Sequence, residues 1–254
     1  MESDVEVAIR AAVAGAAEVR SRFGGELARF AKSGDDFATS ADLAAERVIT
    51  AVLADARPAD VVVGEETGGA VPGSGRVWLV DPLCGTVNYA ARTPLAAVNV
   101  ALRAGTGVVA AAVVDPFTGE VFWTDGAVAR VRVDADEPLR PDPASRLVDV
   151  NLDVPDRAVL GMLADRAFTG AFQPRVLSTT LALAWVASGR RAAYVTAGEL
   201  RDSVHFAGAI ALCQAAGCVV TGMAGGPLHT GPQGLVAAAD ADTHSALVEA
   251  LTRR

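Results

Sequence analysis

The chain has 254 residues, 51% hydrophobic and 20% charged, a balance that excludes a disordered polypeptide and supplies enough apolar material for one large or two small cores. Aromatics are only 5%, so Ala, Val and Leu must fill those cores. With 30 acidic against 22 basic residues the net charge is −8, which argues against nucleic-acid binding and favours a small-molecule site or an anionic ligand held through metal ions.

Residues 4–22 place Val5, Ile9, Ala12, Val13, Ala16 and Val19 at helical spacing. The polar run Lys32-Ser33-Gly34-Asp35-Asp36 reads as a turn, and a second helix should start near Thr39 or Ser40, both good N-caps, with Pro58 just beyond it. Residues 60–64 form a short strand delivering Glu65-Glu66, and a Gly/Pro-rich loop from Thr67 to Gly75 follows. Residues 77–81 form a buried strand ending in Asp81. Strands continue at 95–103, 108–114 and 120–124, the last two joined as a hairpin by Asp115-Pro116-Phe117-Thr118-Gly119.

The Asp/Pro/Arg-rich stretch from Asp134 to Ser145 reads as a connector, giving an N-terminal α+β half over 1–140 and a C-terminal α/β half over 141–254. Beyond it the pattern gives strand 147–151, helix 155–167, strand 172–176, helix 179–189, strand 192–196, helix 204–216, strands 218–221 and 234–238, and helix 242–252. This strand–helix alternation marks an α/β fold class. Three cysteines, an acidic first decapeptide and no apolar run of ~18 residues predict a reduced, cytoplasmic protein without a membrane span.

Carboxylates gather at strand ends, Glu65-Glu66 after VVVG and Asp81 after WLV, with Asp42 in the first turn of a helix. Acids presented this way make an oxygen cage for a hard cation such as Mg²⁺, although each alone also serves as a turn former. The segment Trp78-Leu79-Val80-Asp81-Pro82-Leu83-Cys84-Gly85-Thr86-Val87-Asn88-Tyr89 resembles the inositol monophosphatase signature W-x-x-D-P-x-D-G-T-x-N-F/Y. Gly64-Glu65-Glu66 resembles that family's G-E-E, Lys32 through Asp42 its K-S-x-x-D-x-V-T-x-x-D, and Val186-Ala187-Ser188-Gly189-Arg190 its V-A-A-G-R. The resemblance runs from about residue 5 to 250.

The resemblance implies a layered αβαβα sandwich, often a homodimer, that acts on a small phosphorylated metabolite as a Mg²⁺-dependent phosphomonoesterase. By position, Glu65, Asp81 and the Leu83 carbonyl would hold one metal. Thr86 and Asp42 would orient the attacking water, and the Gly85 and Thr86 amides would cradle phosphate. Ser178, with Thr179 and Thr180, stands at the family's substrate loop.

Two positions depart from the family. Cys84 stands where the signature has its second Asp, and Val204 falls where the late W-D-x-A-A-G motif has its metal-binding Asp, with Asp202 two places early. A second Mg²⁺ would thereby lose two anionic donors, so one Mg²⁺ site is expected intact and the second impaired, with Mn²⁺ or Zn²⁺ as other cations. Cys84 fits three readings: a small buried filler, a thiolate selecting Zn²⁺ with His205 as partner, or a nucleophilic thiol with His205 as base. The alternative to an enzyme is a repurposed, binding or regulatory member of the fold.

Overall fold

The computed structural model describes residues 2–32, 36–70 and 75–253. Helix α1 (Asp4–Arg22) and helix α2 (Ser40–Ala56) flank a small hairpin of β1 (Arg29–Ala31) and β2 (Phe37–Thr39). Most of the expected turn at 32–36, namely 33–35, lies outside the described residues, as does part of the expected Gly/Pro loop, 71–74. The extended pairs on either side of the turn were not foreseen, because strands of three residues are too short to show a hydrophobic period.

A seven-stranded sheet follows: β3 (Val61–Gly64), β4 (Arg76–Cys84), β5 (Ala97–Ala104), β6 (Gly107–Val114), β7 (Val121–Thr124), β8 (Ala129–Arg132) and β9 (Asp136–Pro138), neighbours in that order. Short helix α3 (Thr86–Ala90) leaves the end of β4. The Asp115–Gly119 turn closes the β6–β7 hairpin as expected. Strands β8 and β9 correct the sequence reading: part of the stretch taken as connector extends the sheet, Trp123 and Arg132 both clasping the Asp136 carboxylate.

The second sheet has the order β11-β10-β12-β14-β13, from β10 (Leu147–Asn151), β11 (Gln173–Val176), β12 (Ala193–Ala197), β13 (Val219–Thr221) and β14 (Gly234–Ala238). The helix expected over 155–167 is two pieces, α4 (Arg157–Ala164) and α5 (Arg166–Ala171). Asp165 stops the first and caps the second, accepting from the Ala167 N–H, as Asp does where its carboxylate competes for backbone donors. Helices α6 (Leu181–Ala187), α7 (Ala207–Ala216) and α8 (Ala241–Thr252) complete the chain. Helix α7 begins three residues later than the expected 204, because residues 201–206 form turns instead.

Three cores define the layers. The Ala- and Val-rich faces of α1 and α2 bury one face of the large sheet, with Trp78, Val80, Val98, Val100 and Leu102 beneath them. Helices α6 and α7 lie between the sheets, touching Ala97, Val113 and Phe122 on one side and Tyr194, Leu235 and Ala237 on the other. Helices α4, α5 and α8 cover the far face of the second sheet. The order is αβαβα, and burying both faces of the sheets explains the continuous apolar runs of β6 and β14 and the near-continuous burial of β5.

Arg190 and Arg191, which follow helix α6, are structural ties. Arg190 pairs with Glu120 across the layers, and Arg191 Nε reaches buried Asp149 at 2.7 Å. Cys213 and Cys218 are buried free thiols, and His229 is an exposed loop residue. No helix among the described residues is long and apolar enough to cross a membrane.

Candidate functional site

The acidic site forms where β3 and β4 end, and strand parity decides what enters it. Along β4, Trp78 and Val80 face α1 and α2, whereas Val77 and Leu79 face the α7 layer. Asp81 continues the second set. It sits opposite Asn99 of β5, and pairing then shifts so that Cys84 opposes Ala97. This bulge holds Pro82, which has no N–H to give to the ladder. One extra residue inverts the alternation: Leu83 joins the α1/α2 core, and Cys84 faces the same layer as Asp81.

Asp81 is fully buried. Its Oδ1 accepts the Leu83 N–H at 3.0 Å, and its Oδ2 lies 2.7 Å from His205 Nδ1 and 3.4 Å from Asn99 Nδ2. Thr180 in turn donates to Asn99 Oδ1 at 2.9 Å. Glu65 follows β3, with Oε2 3.9 Å from the same His205 nitrogen and Oε1 2.6 Å from Lys32 Nζ. Lys32 also reaches Glu66 at 2.8 Å.

The charges follow this geometry. Burial and the Asp81 charge push Glu65 up to about 8, against the pull of His205 and Lys32. Burial opposes protonation of His205, but Asp81 and Glu65 outweigh it and raise the imidazole to about 9. Two carboxylates thus converge on one cationic position, which His205 fills. Removing water from both acids is tolerable only because positive charge faces them.

Asp42 occupies the N-terminal turn of α2. Thr39 caps the helix, and its N–H and hydroxyl donate to Asp42 Oδ2 at 2.8 and 2.5 Å, a reciprocal capping box. The free edge of Asp42, Oδ1, lies 3.1 Å from the Thr86 hydroxyl, which also stands 3.0 Å from the Leu83 carbonyl. Burial raises Asp42 above the ordinary carboxylate range, partly offset by the Thr39 and Thr86 hydrogen bonds. Gly85 caps α3 at φ 108°, and a Cβ there would stand 2.7 Å from the Leu95 carbonyl oxygen, so the chain needs glycine at that bend.

The remaining expected residues separate. Asp81, Cys84 and His205 offer ligand atoms all within 4.8 Å of one another. Asp202 does not join them: it adopts φ 53° and pairs with Arg103 at 3.4 Å. The turn over 201–206 lifts it away from the position a regular helix would give. Val204 packs on the apolar patch of Val63, Val77 and Leu79. The Ser178 hydroxyl donates to Asp153 at 2.5 Å, and its carbonyl accepts from Asn88. Cys84 is half-buried, and burial together with the Asp81 charge raises its thiol well above the usual value. A pre-formed nucleophilic thiolate therefore has no support from its surroundings.

Sequence reading missed Glu46. Fully buried on α2, it accepts the Glu66 and Thr67 N–H groups, each at 2.8 Å, and so anchors the turn that presents Glu65. Its signal was an acid one helical turn after Asp42, on a face otherwise made of Ala41, Ala45 and Ile49.

The carboxylate oxygens of Glu65 and Asp81 that face His205 are a donor type suited to a divalent cation such as Mg²⁺.

Comparison with known proteins agrees with this architecture. The chain is 34% identical over 220 residues to the inositol-1-monophosphatase ImpA of Mycolicibacterium smegmatis, covering 82% of this chain and 78% of that protein. It is 32% identical over 204 residues to the Nus factor SuhB of Pseudomonas aeruginosa, covering 74% and 73%. The fold matches the extragenic suppressor protein SuhB of Bartonella henselae with TM-score 0.87 at 24% identity over 98% of both chains. It matches the inositol monophosphatase of Thermotoga maritima with TM-score 0.83 at 18% identity, over 97% of this chain and 95% of that one. The inositol monophosphatase family description matches residues 1–254, end to end, and the chain belongs to that family.

Proposed function

We propose that the protein is a metal-dependent phosphomonoesterase acting on a small phosphorylated alcohol, sugar or nucleotide. The observation that carries this reading is the convergence of Glu65 and buried Asp81 on one cationic position beside the Thr86–Asp42 pair. In this reading residues 1–140 supply the metal and water-handling groups, and 141–254 complete the substrate pocket, with Ser178 at its edge.

Glu65, Asp81 and the Leu83 carbonyl would hold Mg²⁺, which when bound neutralises phosphoryl oxygens and lowers the pKa of water. The chain's own residues do the rest. The single Thr86 hydroxyl proton lies within reach of both the Asp42 carboxylate and the Leu83 carbonyl, so the Thr86 oxygen can accept a hydrogen bond from water while Asp42 takes up its proton. The amides of Gly85 and Thr86 would donate to phosphate. Lys32 balances the charges of Glu65 and Glu66.

The second cation position is altered: Cys84 and Val204 place a thiol and an alkyl group where hard anionic oxygen is expected, and Asp202 is committed to Arg103. This alteration, with the 32% identity to a protein named as a Nus factor, supports a second reading in which the chain is a binding or regulatory member of the family.

Phosphate release from a panel of phosphomonoesters, with Mg²⁺, Mn²⁺ or Zn²⁺ supplied separately, tests the first reading. Turnover that Asp81→Asn and Glu65→Gln each reduce by about 100-fold or more is expected, a loss comparable to that of one key electrostatic group. Absence of turnover with every cation and ester, in a folded protein, would sink it in favour of the second.

A further inference from the structure

We infer that Asp81, Cys84 and His205 form a binding site for a soft transition-metal cation of the Zn²⁺ class. This deepens the reading above by naming the cation suited to the altered position, but it stands on donor chemistry and needs no turnover. Three donors of different type, a carboxylate oxygen, a thiol sulfur and an imidazole nitrogen, gather within 4.8 Å of one another. Asp81 and Cys84 lie three residues apart on β4 and His205 lies 124 residues beyond Asp81, and two local features bring the three together. The β4 bulge turns Cys84 onto the Asp81 face, and the turn before α7 sets His205 Nδ1 2.7 Å from Asp81 Oδ2.

Donor chemistry decides the cation. Mg²⁺ requires octahedral hard oxygen and sheds water reluctantly, so a sulfur donor adds little to its binding. Zn²⁺ accepts sulfur, nitrogen and carboxylate oxygen in four-coordinate geometry, and three protein ligands with an open fourth position is the arrangement of its catalytic sites. Tetrahedral bonds to nitrogen and oxygen of about 2.0–2.2 Å separate those donors by about 3.3–3.6 Å, so the 2.7 Å contact opens by under about 1 Å when a cation replaces the shared proton. Cys84 and His205 are only half-buried, which leaves an approach for the ion.

The support behind the donors is built as well. The Thr180 hydroxyl donates to Asn99, whose amide nitrogen lies against Asp81 Oδ2, and the Leu83 N–H holds Oδ1. Such outer partners fix ligand orientation. On binding, the thiol and the imidazolium each release a proton to solvent, and no redox step occurs.

Titration of the full chain with Co²⁺ as a spectroscopic stand-in tests the site. The expected result is one equivalent bound with a thiolate-to-cobalt charge-transfer band in the near ultraviolet, displaced by stoichiometric Zn²⁺ and resistant to a large excess of Mg²⁺. Cys84→Ser should abolish the band and weaken Zn²⁺ binding by at least about 100-fold, since loss of a supporting residue alone costs 10–100-fold. His205→Asn should weaken binding while keeping a shifted thiolate band, and Asp202→Asn should change neither. No band in the wild type, a band surviving Cys84→Ser, or displacement by Mg²⁺ as readily as by Zn²⁺ would overturn the inference. These spectra are recorded without substrate, so an inactive protein that shows the band refutes the phosphatase reading alone. An active Mg²⁺ enzyme without the band refutes the zinc site alone.

Discussion

The turn that presents Glu65 rests on one buried carboxylate, and its removal should be measurable in two ways. Glu46 accepts the Glu66 and Thr67 N–H groups at 2.8 Å each, while the Gly64 backbone passes so close that a Cβ there would lie 2.4 Å from the Glu46 carboxyl carbon. Glu46→Gln keeps the shape but turns an NH₂ toward one of two backbone donors. One charge-assisted hydrogen bond is lost and one partly buried N–H is left facing an NH₂, together about 2–4 kcal/mol. In a chain of this size each kcal/mol moves the melting temperature by about 2–4 °C, so thermal denaturation should shift by about 5–15 °C. The displaced turn should also loosen the hold on Glu65 and weaken cation binding. Gly64→Ala should cost about 1–3 kcal/mol by overpacking against the same carboxylate. Removing the obstacle in Glu46→Ala should make the alanine at 64 less harmful, giving a favourable coupling of about 0.5–3 kcal/mol in a double-mutant cycle. A Glu46→Gln melting temperature within about 2 °C of the parent, or strictly additive effects of the Gly64→Ala and Glu46→Ala pair, would refute the reasoning.

Cys84→Asp combined with Val204→Asp should raise Mg²⁺-dependent phosphate release, because the first puts anionic oxygen on the Asp81 face and the second adds an acid next to His205 in the chain. The same pair should lower the melting temperature without metal, since Asp at 204 would sit on the Val63, Val77 and Leu79 patch, and added Mg²⁺ should recover part of that loss. A folded double variant as inactive as the parent would contradict this account. Tyr89→Phe removes the hydroxyl that donates to the Val19 carbonyl at 2.7 Å and ties the end of α3 to α1. It should cost about 1 kcal/mol in chemical denaturation while leaving metal stoichiometry unchanged. His244 lies against Thr221 at 2.7 Å, and burial lowers its imidazole below the ordinary value. Its neutral form is favoured in the folded state, so its contribution is complete above about pH 6.5 and is lost as pH falls through the lower folded value. The stability difference between wild type and His244→Gln should therefore shrink toward acid, as read by melting curves across pH 5–8.

The long apolar runs and the turns punctuated by Gly, Pro and Asp carried the order of strands and helices, while the order of layers came from the family resemblance. The β6–β7 hairpin was visible in Asp115-Pro116-Phe117-Thr118-Gly119 alone. Strand β9 was not, because all three of its residues are exposed and it is held by Asp136 between Trp123 and Arg132, whereas β8 carries a short alternation, Ala129-Arg130-Val131-Arg132, that the sequence reading passed over. The break at Asp165 was hidden for a different reason: apolar spacing runs through it, and a single capping carboxylate settles the matter.

At the site, linear spacing named the carboxylates but could not give their neighbours. On an unbroken strand, Asp81 and Cys84 are three apart and point to opposite faces. Only the bulge at Pro82 puts the thiol beside the carboxylate, and only the turn over 201–206 decides that His205, rather than Asp202, meets it there. A comparison of positions along the chain registers two missing acids. In three dimensions the same place holds sulfur, nitrogen and one retained oxygen, so the physical question becomes which cation those donors prefer. Hard and soft donors differ in the ion they select even at equal charge, so weaker Mg²⁺ binding and tighter Zn²⁺ binding are the two outcomes that the proposed site expects from the same replacements.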